Sequence, residues 1–233
     1  MTTVIGINGI DPSTNKSYVL ILTDSRGTLP SEESHTDNDI KLFSPEASNY
    51  AFGTAGKCIN GLFSSSSPSK GKLITKEGGI FEKSELEAIL VGMNNQLQED
   101  FGDVNNYLFG IQKNDSVDMC IYLNDELKEG SLFAASGSGS EYANEVLSPL
   151  SNYTLDGRIC ENKEEAIKIA VNAMKNAAKK DFGTGGHIDL AIMTADNIEI
   201  KRNYFNLNKD SEQRVIPLID SYQTNMHPWQ RDY

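Results

Sequence analysis

The second residue of this chain is a threonine that follows Met1 directly. A threonine with a free amine carries two reactive groups on one residue: a hydroxyl able to attack a carbonyl, and an amine able to take its proton. The same opening run, Met-Thr-Thr-Val-Ile-Gly-Ile, also reads as a β-branched strand and nothing more. Other side chains with chemical potential are scattered. Asp24 and Arg26 fall in Leu-Thr-Asp-Ser-Arg-Gly-Thr at the end of a strand-like stretch, and Lys41 in Asp-Ile-Lys-Leu-Phe. Gly-Thr-Ala-Gly begins at Gly53, Ser-Gly-Ser-Gly-Ser spans 136–140, and Asp-Phe-Gly-Thr-Gly-Gly spans 181–186. Taken singly, each has an ordinary reading as a surface ion pair, a solvated lysine or a common turn. His35, His187 and His227 lack metal-ligand spacing, so no metal centre is expected. There is no Walker-type or dinucleotide-binding glycine loop, and no cofactor is expected.

Chemistry at Thr2 would need strands and turns that carry partners to it. Apolar, β-branched and aromatic runs bounded by turn formers predict strands at 3–8, 17–23, 40–43, 50–52, 107–112, 119–123 and 131–135, and a closing hairpin of 188–194 with 198–202. The turn-forming residues 9–16 predict a long loop in the first hairpin. Helices are expected from about 56, stopped by the serine tract 64–69, and from the capping-box spacing at Ser84, with Leu86, Leu90, Met93 and Leu97 on one face. Two more are expected, one at 141–147 and one capped by Asn162 whose stripe is Ala166, Ile167, Ala170, Val171, Met174 and Ala178. Helices segregated from strands indicate an α+β layered fold with helices covering a two-sheet sandwich.

Composition narrows the partners. With 21 basic against 33 acidic residues, a net charge of −12, neither nucleic acid nor an anionic membrane is expected to bind. No run approaches the length of a membrane span and no signal-peptide pattern opens the chain, so a cytoplasmic location is expected. Cys58, Cys120 and Cys160, odd in number and unpatterned, read as reduced packing residues.

Taken together and in this order, the N-terminal Thr-Thr, Asp-Ser-Arg-Gly-Thr, Lys-Leu-Phe, Gly-Ser-Gly-Ser, and Asp-Phe-Gly-Thr-Gly before Ile-Asp-Leu-Ala-Ile-Met-Thr resemble the proteasome β-subunit family of N-terminal-nucleophile hydrolases. The resemblance covers residues 2–203. It implies one such domain there, with 204–233 an extension that belongs to it or docks elsewhere. The implied fold is a four-layer αββα sandwich of two antiparallel sheets covered by helices.

The resemblance also implies roles. Thr2, freed of Met1, would be the nucleophile and its amine the base. Lys41 would lie beside it as an ammonium held by Asp24, Ser138 and Asp181 would steady the terminal amine, and Thr184 stands where the family has a serine. Gly53 would offer its N–H to the oxyanion, a kind of contact worth about 2.7–4 kcal/mol. Gly27, Thr28, Phe43 and Ala51 would line the substrate pocket. The implied activity is a threonine endopeptidase acting on peptides or unfolded protein within a self-compartmentalising homo-oligomer, with an ATPase or an α-type ring as candidate partner. A peptide ligase of connectase type would use the same acyl-threonine intermediate, and a catalytically silent structural homologue would use none of it. Departures from the family pattern are Lys57 after the glycine turn, the long first loop, the serine tract and the tail carrying Trp229.

Overall fold

The structure, a computed structural model, describes residues 2–28, 35–44, 48–56, 105–123 and 126–208, with helical positions at 87, 88, 90–92, 94, 95 and 98. The helix expected from 56, the serine tract, the capping box at Ser84, Lys57, Cys58 and the tail from 209 lie outside the described residues.

Strands β1 (Thr3–Asp11), β2 (Lys16–Asp24), β3 (Gly27–Thr28), β4 (His35–Thr36), β5 (Leu42–Phe43), β6 (Tyr50–Ala55), β7 (Asn106–Gln112), β8 (Val117–Leu123), β9 (Glu126–Glu129) and β10 (Phe133–Gly137) come first. Helix α1 (Ser140–Leu147), a 3₁₀ turn (Ser148–Asn152), β11 (Thr154–Leu155), β12 (Arg158–Cys160), helix α2 (Lys163–Lys180), β13 (His187–Thr194) and β14 (Ile198–Asn206) follow. They build an α+β fold with a seven-stranded sheet in the order β11-β12-β1-β2-β13-β14, β10 also pairing β1. A five-stranded sheet runs β5-β6-β7-β8-β9, and β3-β4 is a separate ribbon.

Alternation along the strands decides which face meets what. From the seven-stranded sheet, Val4, Val19, Ile21, Ala191 and Met193 share one apolar cluster with Leu42, Ala51, Ala55, Leu108, Val117 and Met119 of the five-stranded sheet. Their neighbours in sequence, Ile5, Ile7, Leu20, Leu22, Ile188, Leu190 and Ile192, point the other way and pack on α1 and α2. Covered on both sides, β1 and β2 read as near-continuous apolar runs rather than alternating ones. On its outer face the five-stranded sheet presents Tyr50, Phe52, Tyr107, Phe109 and Tyr122, with the helical Leu90 among them.

Helix α2 begins where the sequence predicts. The Asn162 side chain accepts the Glu165 N–H at 2.9 Å, with Glu164 and Glu165 in the first turn and Lys179 and Lys180 in the last, each favourable to the helix dipole. Three expectations change. The first hairpin is tight: β1 and β2 pair as far as Asp11 opposite Lys16, leaving only 12–15 as the turn. The Asp11 carboxylate accepts both the N–H (2.8 Å) and the hydroxyl (2.6 Å) of Ser13. Gly9, read as a turn former, stays in the strand because the ring of Tyr18 lies where its side chain would be. Secondly, the seven-stranded sheet is not wholly antiparallel. β10 takes the edge of β1 over 3–7, and β12, returning after α1, takes the rest of it in parallel, with Gly9 opposite Ile159. Thirdly, the strand expected at 40–43 shrinks to Leu42–Phe43, because the Asp39 N–H turns aside to the Ser25 carbonyl at 2.9 Å. β14, by contrast, runs on through 203 to Asn206.

Candidate active site

Three elements end at one point. Thr2 precedes β1 and is 1% exposed, Asp24 closes β2 with its side chain fully buried, and Lys41 immediately precedes β5. The Thr2 hydroxyl donates to Asp24 Oδ1, and Lys41 Nζ donates to Thr2 Oγ1. Lys41 Nζ also meets Asp24 Oδ1 at 3.0 Å and the Arg26 carbonyl. The other bonds to Asp24 come from the backbone: Thr3 N–H at 2.9 Å on Oδ1, Gly185 N–H at 3.0 Å and Arg26 N–H at 3.3 Å on Oδ2. A buried carboxylate and ammonium are tolerable only when they are paired and hydrogen-bonded in this way.

A second group adjoins the first. Ser138 donates its N–H to the Thr2 carbonyl at 2.9 Å and its hydroxyl to Asp181 Oδ2 at 2.7 Å. Thr184 donates to the same Asp181 oxygen at 2.6 Å, and its own oxygen lies 2.6 Å from Thr3 Oγ1. With Thr184 donating to Asp181, the Thr3 hydroxyl becomes the donor to Thr184, so four residues form one directed chain. Gly137 makes this junction possible. Its φ is +99°, and a Cβ there would lie 2.0 Å from the Thr2 carbonyl oxygen. Only glycine satisfies both conditions.

The expected residues Thr2, Asp24, Lys41, Ser138, Asp181 and Thr184 are thus brought together. Gly53 is not brought to them in the expected sense. Because Thr54 N–H donates to Lys41 O at 3.0 Å, Leu42 and Gly53 are a non-hydrogen-bonded pair. The Gly53 N–H consequently faces β7, where Gly53 stands opposite Leu108. The residues expected to line a substrate pocket are also spread out. Ala51 is fully buried between the sheets, while Phe43 lies on the opposite face of the same sheet, stacked on Phe52 at 5.2 Å. Gly27 and Thr28 stand in the ribbon beyond Arg26, opposite Thr36 and His35. Sequence reasoning missed the Thr3 hydroxyl, the Arg26 carbonyl and the Gly185 N–H. The last two are backbone groups and leave no trace in residue type, whereas Thr3 was visible as the second half of Thr-Thr.

Among the described residues, no cluster of His, Cys, Asp and Glu could hold a metal ion, and no helix is long and apolar enough to cross a membrane.

No protein-family profile matches the chain. Curated relatives do. The proteasome subunit beta of Methanocaldococcus jannaschii is 39% identical over 74 residues, which is 32% of this chain and 30% of that protein. That of Methanocaldococcus sp. FS406-22 is 36% identical over 74 residues, with the same coverage of 32% and 30%. That of Haloferax volcanii is 34% identical over 71 residues, 30% of this chain and 27% of the relative. The matched stretch therefore spans less than a third of the length of these relatives. Over that stretch, the chain is similar to the proteasome β subunits.

Proposed function

We propose that the chain is a threonine-type peptidase of proteasome β type, with Thr2 as nucleophile once its amine is free. One observation carries this reading: Thr2 Oγ1 lies between Lys41 Nζ, which donates to it, and Asp24, which accepts from it. In the reaction, Oγ1 attacks the carbonyl carbon of a peptide bond while the α-amine of Thr2 takes the hydroxyl proton. The C–N bond then breaks, its nitrogen leaves as an amine carrying that proton, and an acyl ester stays on Thr2. Water, giving its proton to the same α-amine, attacks the ester and restores the hydroxyl. Lys41 offsets the negative charge developing on Oγ1, and Asp24 holds Lys41 and the Thr2–Thr3 backbone in register. Ser138, Asp181, Thr184 and Thr3 fix the carbonyl side of Thr2.

Substrates would be peptides or unfolded protein. The described helical positions between 87 and 98 would complete a fourth layer over the outer face of the five-stranded sheet, and the working form would be a homo-oligomer, the relatives being named as subunits.

Mass spectrometry after incubation with a peptide tests the reading. We expect an acyl adduct on Thr2 that water resolves, and no adduct in Thr2→Ala, which removes a hydroxyl and little volume. Turnover near wild type in Thr2→Ala, with contaminating peptidase excluded, overturns it. Transfer of the acyl group to an added amine in preference to water would make the enzyme a ligase.

A further inference from the structure

β5 is the outer strand of its sheet and only two residues long. Since Leu42 and Gly53 are a non-hydrogen-bonded pair, the N–H and C=O of Leu42 point away from β6, towards an edge on which, among the described residues, no further strand pairs. The Leu42 carbonyl nevertheless has a partner. Arg202, from β14 of the other sheet, donates Nη2–H to it at 2.7 Å. Nη1 of the same guanidinium pairs with Asp189 Oδ2 at 2.6 Å, and Asp189 Oδ1 accepts the Asn203 N–H at 2.9 Å. The Asp189 side chain is 8% exposed. Where these residues lie, the β13–β14 ladder slips between Ile188 and Leu190, and Asn203 takes φ +51°. An irregularity of this kind re-aims a side chain out of its strand's own pattern, and here it sends Arg202 across to the neighbouring sheet.

Leu42 is the residue after Lys41. On its N-terminal side Lys41 follows irregular backbone tied by the Asp39 N–H to Ser25 carbonyl bond, and Phe43 beyond it pairs with Phe52; between these, Lys41 and Leu42 are held by Thr54 N–H on the Lys41 carbonyl and Arg202 on the Leu42 carbonyl. We propose that Asp189 and Arg202 are positioning residues that hold the Lys41 backbone in register, so that its ammonium meets Thr2, Asp24 and the Arg26 carbonyl together. The pair touches no reacting atom. Its action on catalysis rests on the reading of Thr2 and Lys41 given above, but its action on the lysine does not.

The test compares Arg202→Met, which keeps the length and loses the donors, with Arg202→Lys, which keeps one donor, and with Asp189→Asn. Peptide turnover is split into kcat and KM, and the Lys41 ammonium is followed by its proton–nitrogen NMR correlation, assigned with Lys41→Met. We expect Arg202→Met to lose between roughly tenfold and a hundredfold in kcat, as for other small misplacements, with KM held. The Lys41 signal should broaden or vanish. Arg202→Lys should recover part of both effects, and Asp189→Asn should show a milder form. Should Arg202→Met fail to fold, Asp189→Asn and Arg202→Lys carry the same comparison. An unchanged kcat and Lys41 signal in the folded variants overturns the proposal. So does a kcat loss that follows melting temperature alone, with no rescue by lysine. If the wild-type protein forms no adduct on Thr2, the functional reading fails, and the Lys41 signal in wild type and variants still decides whether the pair positions the lysine.

Discussion

A lysine ammonium has three protons to place, and Lys41 has three acceptors for them: Thr2 Oγ1, Asp24 Oδ1 and the Arg26 carbonyl. Lys41→Ala should abolish the Thr2 adduct and also destabilise the fold, because Asp24 is left as an unpaired buried carboxylate at a cost of roughly 3–5 kcal/mol. Adduct formation and urea unfolding measured together check this, and full activity with unchanged stability would remove Lys41 from the site. The amine is as exacting as the hydroxyl. A residue fixed before Thr2 turns the amine into an amide, whose nitrogen cannot take a proton from Oγ1. A form sequenced as carrying that extra residue is therefore expected to be inert, and peptide turnover by it would rule out the α-amine as base.

Elements set these residues in place through their ends, and the first hairpin shows how local the control is. Burial works to raise the Asp11 carboxyl, but the hydrogen bonds from Ser13 and the Thr14 N–H, with the charge of Lys163, together outweigh it and hold the group below its ordinary value. A folded-state value below the unfolded one means that the folded state resists protonation. The stabilisation is then full above the ordinary carboxylate range and fades as pH falls through the lowered value. Asp11→Asn should accordingly melt below wild type near neutral pH, and the gap should close as the pH falls below the lowered value of the Asp11 carboxyl. A gap independent of pH would assign the effect to shape rather than charge.

That hairpin also marks how far the sequence could be read. The long strands, the Asn162 cap and the order of the site motifs were legible because each is a periodic run or a contiguous string of residue types. Gly9 was not, since its place depends on the ring of Tyr18 across the ladder. The hairpin of β11 and β12 was missed although Asp156-Gly157 marks its turn, with φ +49° and +73°, because strands of two and three residues are too short to show alternation. Gly53 was legible as a glycine beside a strand end, but only the register revealed which way its N–H points.

At the scale of the whole molecule, the site lies on the seam between two sheets: Thr2 and Asp24 belong to the seven-stranded one, Lys41 to the edge of the five-stranded one. Sheet separation therefore sets the distance from ammonium to hydroxyl. Gly53 faces that seam, and a Cβ there would come within 2.8 Å of both Val4 Cγ1 and Thr23 Cγ2. No real side chain is seated that closely, so Gly53→Ala must push β6 from β1 and β2, the strands that lead from Thr2 and to Asp24. Overpacking of this kind costs roughly 1–3 kcal/mol, and the displacement should lower kcat as Lys41 moves off Thr2. The substitution separates two roles for the residue, because alanine keeps the backbone N–H. If Gly53 served only as an oxyanion donor, Gly53→Ala would stay as stable and nearly as active as wild type. Gly92 supplies the contrast, being helical with nothing among the described residues within 4 Å of its would-be Cβ. Gly92→Ala should leave activity alone and raise stability by roughly 0.5–1 kcal/mol. Unfolding and kcat measured side by side decide the matter: Gly53→Ala losing both, while Gly92→Ala loses neither, makes the spacing of the sheets a determinant of the chemistry.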